Sequence, residues 1–133
     1  AHAGMSSVTS RKTARRQALY LLYQWDLTGQ ELASLYEGEP DAFARSLAEA
    51  VAERADMLDV RITASSPDWP ADRLGTLERN ILRIGVYELE EETVPRQVAI
   101  NEAVVLAKRY ATEEAARLVN GILARVAREE EAA

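Results

Sequence analysis

LERNILRIGVYELEEETVPRQVAINEAVVLAKRYATEEAARLVNGILARV, residues 77–126, decides the fold. Three segments of helical period follow one another with short breaks. Leu77, Ile81, Ile84 and then Tyr87 or Glu88 share one face. Val98, Ala103, Leu106, Ala107 and Tyr110 form a second stripe, and Leu118, Val119, Ile122, Leu123 and Val126 a third. Amphipathic stripes this close together hide their apolar surface by packing on one another, so a three-helix bundle is predicted. Thr76 is placed to cap the first helix, which ends near Glu90-Glu91-Glu92, with Val94-Pro95 as the turn. Thr112 is placed to cap the third, with Glu113 and Glu114 favourable for its dipole. Asn120-Gly121 has the composition of a turn, but the apolar positions on both sides keep one register. It is therefore read as helix, its glycine admitting the close approach of another helix. The run Glu129-Glu130-Glu131 is expected to fray.

Upstream, Thr9 or Ser10 can cap a helix starting at Arg11. Ala14, Ala18, Leu21, Leu22 and Trp25 make its buried stripe, and Gly29 ends it. Residues 30–39 read as a loop or a frayed turn. Asp41 can cap a helical stretch over 42–64, with Phe43, Leu47, Val51, Leu58 and Ile62 as its core face and one break near Glu53–Asp56. Ser65-Ser66-Pro67 and Pro70 force a connector, in which Trp69 is expected to plug the core and PADRL to form a short turn. No alternating strand pattern is found. The predicted architecture is all-α, two packed three-helix bundles over about 10–65 and 70–128. Residues 1–9 are expected to be an expression scar (AHAGM, ending at a start Met) and a disordered arm, and 129–133 a frayed tail.

The 133 residues suffice for one domain with a real core. There is no cysteine, and the single histidine, His2, lies in the expected scar. Disulfides, zinc sites, thiol nucleophiles and histidine-based catalysis are therefore not expected, nor is a cofactor. No apolar run approaches the roughly 18 residues a membrane helix needs, and a cytoplasmic protein is expected. The net charge of −6 hides an asymmetry. Residues 1–30 hold Arg11, Lys12, Arg15 and Arg16 against Asp26 alone, +3; the rest of the chain holds 12 basic and 21 acidic side chains, −9. A basic end on an acidic body suggests a localised anion-binding patch.

Arg11, Lys12, Arg15 and Arg16 could contact phosphates and, through guanidinium planes, unstacked bases. The plainer reading is a solvated helix start, though cations at a positive dipole end are misplaced. Tyr20, Tyr23 and Trp25 follow. An exposed aromatic beside a basic patch is a stacking platform for single-stranded RNA, whereas aromatics at helical spacing are commonly core. Two positions separate Tyr23 from Trp25, so they point to different sides; Trp25 is assigned to the core, which leaves Tyr23 partly exposed. Asn120 could donate to a base or phosphate, or satisfy a neighbouring backbone group.

The segments ERNILRIGVYEL, VPRQVAINEAVVLAK and LVNGIL, in this order, with RKTARRQALYLLYQWDL as the first helix, closely resemble the NusB family of bacterial transcription antitermination factors. The resemblance covers about residues 10–128. It implies binding of boxA RNA in ribosomal RNA leader transcripts. It also implies a partner, NusE, a protein of the small ribosomal subunit, with which the factor joins elongating RNA polymerase alongside other Nus factors. Tyr23 matches a tyrosine of the family's first helix, and the resemblance implies that it is the RNA contact. The resemblance implies that the last helix starts beside the first and completes the RNA surface. Glu114 matches an acidic residue that tempers RNA affinity. The family commonly carries an aromatic just before VNG; Leu118 stands there, which removes a stacking surface. The helix from Leu77 and its neighbour are implied to meet NusE, with Glu78 as the best match and Arg79, Arg83 and Glu88 as further candidates. Acidic complementarity would suit a basic ribosomal protein. Two rival readings are an RNA-binding appendage of an RNA cytosine methyltransferase, and a helical oligomerisation module without an RNA role. An independent enzyme is not expected, and a homodimer is left open.

Overall fold

The structure, a computed structural model, describes the backbone of residues 2–132 and the side chains of residues 11–132. Six helices account for it: α1 (His2–Thr28), α2 (Ala42–Glu53), α3 (Ala55–Ser65), α4 (Thr76–Glu91), α5 (Arg96–Tyr110) and α6 (Glu113–Ala132). Short 3-10 turns at Leu32–Leu35 and Ala71–Arg73 fill two connectors, and no strand occurs among the described residues. Among the described residues, no helix is long and apolar enough to cross a membrane. The expected arm at 1–9 and the cap at Thr9 or Ser10 fall on side chains outside those described. α1 itself extends upstream of the expected start at Arg11.

The punctuation read from the sequence explains most boundaries. Gly29 takes φ +74, the left-handed geometry that ends α1, and its N–H donates to Trp25 O at 3.0 Å. Asp41 caps α2 by accepting from Ala44 N at 3.0 Å. The stretch 42–65 breaks once, at Arg54. Thr112 caps α6 by accepting from Ala115 N at 2.9 Å. Thr76, by contrast, is the first residue of α4 and not its cap. Gly75 precedes the helix, and the Glu78 carboxylate folds back into the space that a side chain at position 75 would fill.

α4 is the hub. It packs against α1, α2, α3, α5 and α6. Seven consecutive residues, Asn80 to Val86, are buried, as are Glu88 and Leu89. The single stripe read for this segment was therefore too narrow: a helix enclosed by its neighbours is buried all round. Gly85 faces α6: a Cβ there would lie 2.6 Å from Leu123 Cδ1, so any larger residue would force the Leu123 side chain to move. Gly121, the glycine expected to admit a neighbour, would meet nothing within 4 Å.

Three other expectations fail for local reasons. Val98 and Tyr110 lie at the two ends of α5 and are exposed; Ala99, Ile100, Ala103, Leu106 and Ala107 make the contact with α4 and α6. Trp69 is 52% exposed, because Ala71 and Leu74 close the core beneath it. The acidic tail continues as helix to Ala132. Glu129 accepts from Ser65 Oγ at 2.8 Å, Glu130 pairs with Arg61 at 3.0 Å and Glu131 with Arg96 at 2.9 Å. The core is otherwise one continuous apolar cluster drawn from all six helices, with Trp25 and Phe43 packed at its edge.

Candidate nucleic-acid interface

Position in the α1 turn sorts the four N-terminal cations. Arg15 lies three, four and seven residues before Ala18, Leu19 and Leu22, all buried, so it points inward with them. It is 4% exposed. Its Nε and Nη2 donate to the Glu88 carboxylate at 3.0 and 2.8 Å in a forked pair. Burial opposes the Arg15 charge, but the bond and charge of Glu88 outweigh it and raise its pKa. Arg15 is thus not an RNA contact, and Glu88, 2% exposed, is not a partner contact. Arg11 and Lys12 are exposed: Arg11 lies 5.2 Å above the Phe43 ring, and Lys12 reaches Glu102 at 3.9 Å.

Arg16, Tyr20 and Tyr23 recur at i, i+4 and i+7 and face out together. With Leu19, Leu77 and Tyr110 they line a cleft of about 370 Å³. Tyr20 is 60% exposed, and Tyr23 is half-buried, as is Trp25 on the other side. The cleft therefore offers three phenol rings beside a guanidinium. The spacing of Arg16, Tyr20 and Tyr23 was enough to find Tyr20. Tyr110 arrives from the end of α5, and nothing local in the sequence signals it.

The remaining predicted residues fall next door or inside. α1 and α6 do not pack extensively on each other. Glu114 and Leu118 instead line an adjoining cleft of about 480 Å³, together with Glu78, Trp69 and Arg73. Leu77-Glu78 and Tyr110–Thr112 join the two clefts along the chain. Glu78 and Glu114 therefore face the same space, though one was read as a partner contact and the other as an RNA contact. Asn120 is exposed and lines neither cleft.

Of the partner candidates on α4, Arg79 and Arg83 face inward. Arg83 donates to Asp59 Oδ2 at 2.6 Å and to Asp26 Oδ2 at 3.0 Å, and its guanidinium lies 5.8 Å from the Trp25 ring centre. Arg79 donates to Asp26 Oδ2 at 3.0 Å and to the carbonyls of Ala71 and Leu74 at 3.2 and 2.9 Å, which holds the connector. Burial pushes the Asp26 carboxyl up, but the Arg79 bond, the Arg83 charge and the Asn80 bond outweigh it, leaving its pKa below the usual carboxylate range. These side chains fasten α1 and α3 to α4; Arg83 is buried and cannot meet a partner. Among the described residues, no group of His, Cys, Asp or Glu could hold a metal ion.

The NusB family profile matches residues 12–128. The transcription antitermination protein NusB of Myxococcus xanthus is 40% identical over 132 residues, covering 89% of this chain and 94% of its own. T. maritima NusB superposes with a TM-score of 0.81 at 34% identity, covering 91% of this chain and 92% of that one. A NusB chain in a complex of antitermination factors NusB and NusE with double-stranded RNA superposes with a TM-score of 0.79 at 32% identity, covering 90% of this chain and 96% of that one. These relatives are named as antitermination factors, not as enzymes. Architecture and sequence agree, and the chain belongs to the NusB family.

Proposed function

We propose that the protein is a cytoplasmic transcription antitermination factor. It binds boxA-type single-stranded RNA of ribosomal RNA leader transcripts together with NusE, and joins the elongating RNA polymerase complex through other Nus factors. The observation that carries this reading is the outward row of Arg16, Tyr20 and Tyr23 in an otherwise acidic protein. Arg11, Lys12 and Arg16 meet phosphates, and the phenol rings stack on bases. A duplex keeps the faces of its bases covered, so stacking rings favour a single strand over the double-stranded RNA of the solved complex. Glu78 and Glu114 make the adjoining cleft acidic, which suits a basic partner and repels RNA that strays into it. The relatives match over nearly their whole length under the name of antitermination factors, which supports this reading over an enzyme's appendage.

A titration of labelled boxA RNA, with and without NusE, tests it. Single-stranded RNA is expected to bind tighter than the same sequence as duplex, and NusE to tighten it further. Tyr23→Ala is expected to cost about 1–3 kcal/mol of RNA affinity, the range for one lost base stack. Glu114→Asn is expected to tighten binding. Duplex preference with an unaffected Tyr23→Ala would sink the assignment of this face.

A further inference from the structure

On the far side of Trp69 lies a third cleft, of about 330 Å³, between the 65–69 connector and α6. Arg117, Gly121, Ile122, Arg125 and Arg128 of α6 line one side, and Trp69 of the connector the other. The three arginines are exposed and fall on one stripe of α6. Asp68 is the one acidic residue lining the cleft, so three cations against it leave +2 in a chain of −6. Arg125 reaches Glu129 at 4.0 Å; Arg117 and Arg128 have no ion-pair partner among the described residues.

Two features there have no use in the fold. Trp69 is 52% exposed while smaller residues close the core. Gly121 sits in mid-helix, where glycine is unfavourable relative to alanine, yet no neighbour approaches its missing Cβ within 4 Å. Its steric effect is to keep the cleft open. We propose that this cleft is a second subsite for single-stranded RNA, in which one base stacks on Trp69 and phosphates meet Arg117, Arg125 and Arg128. This rests on the RNA-binding reading above and extends it along α6 beyond Leu118, which with Trp69 lines both this cleft and the adjoining one. A basic protein is repelled by such a wall. An acidic peptide would satisfy the arginines but leave the indole face without a planar partner. The acidic cleft with Glu78 and Glu114 separates this subsite from the α1 row, so RNA reaching both must pass over it.

The test uses the full chain and a single-stranded RNA of about 16 nucleotides, the upper range of small single-strand binding sites. RNA is expected to quench tryptophan fluorescence in the wild type, and the quenching to vanish in Trp69→Phe, which keeps Trp25. Trp69→Ala is expected to weaken binding about fivefold to 150-fold, the equivalent of one base stack. Arg125→Ala with Arg128→Ala is expected to make the log–log salt slope shallower by about 1.4, at about 0.7 per phosphate on a single strand. Gly121→Leu keeps every charge, improves helix propensity and fills the cleft, so it is expected to weaken binding in a folded protein. If Tyr23→Ala weakens binding while all the cleft variants bind and fluoresce as the wild type does, the subsite is refuted and the α1 reading stands. If the cleft variants weaken binding and Tyr23→Ala does not, the subsite stands and the α1 reading fails. Quenching by polyglutamate but not by RNA makes it a peptide site and overturns the proposal. A wild type that binds no RNA overturns both.

Discussion

Two sets of arginines divide this molecule. Arg15, Arg79 and Arg83 lie inside or nearly so: Arg15 is forked onto Glu88, Arg83 bridges Asp26 and Asp59, and Arg79 joins Asp26 to two backbone carbonyls. Arg11, Arg16, Arg117 and Arg128 lie on the outside beside tyrosine, phenylalanine or tryptophan rings. Arg15 and Arg16 are adjacent in the chain and belong to different sets. One helical step of about 100° decides whether a guanidinium fastens helices together or faces solvent. Inside, charge is spent on orientation and is matched by a partner of opposite sign. Outside, rings flank it and leave its charge available.

Removing an inner arginine is the largest perturbation. Arg83→Ala leaves Asp26 and Asp59 without their shared cation, and the loss of one partner of a buried pair typically costs about 3–5 kcal/mol. Urea unfolding is expected to show that loss, while RNA affinity of the folded fraction stays unchanged. A stable Arg83→Ala protein would erase the division. A smaller effect appears on acidification. Asp26 has its pKa depressed by folding, so its stabilisation is complete above the ordinary aspartate value of about 4 and is lost as pH falls below it. Asp26→Asn is expected to flatten the fall in thermal stability between pH 5 and 3, while costing stability at neutral pH; an unchanged acid limb places the titration elsewhere. Smallest is Arg16→Ala, expected to shift stability by less than about 0.5 kcal/mol while reducing the RNA salt slope by about 0.7. A destabilised Arg16→Ala would move that residue into the inner set.

The helices were legible because 3.6-residue periodicity and caps are local: Gly29, Asp41 and Thr112 act on residues within four positions of themselves. The inner arginines were not, because their partners come from elsewhere. Arg15 was taken for an RNA contact and Arg83 and Glu88 for a partner surface, since sequence charge alone reads as surface. The position of Arg15 on the stripe of Ala18, Leu19 and Leu22 was a usable signal. The simultaneous burial of Asn80 through Val86 was not, because it depends on how many helices surround α4. In the outward row of α1, Arg16 and Tyr23 lie on the cleft together, and Tyr20 was within reach of the same spacing. Tyr110 and the meeting of Glu78 with Glu114 in one cleft arise only when α4, α5 and α6 come together.

The bond from Arg15 to Glu88 spans 73 residues, and those from Asp26 to Arg79 and Arg83 span 53 and 57. A ribosome adding about 5–20 residues per second makes α1 seconds before it makes any of these partners. During that interval α1 is a basic segment without the carboxylate that later claims Arg15, and an isolated helix is marginal in water. The emergence of α4 withdraws Arg15 from solvent and fixes which face of α1 turns outward. The sorting of inner from outer cations is thus completed on a clock set by translation.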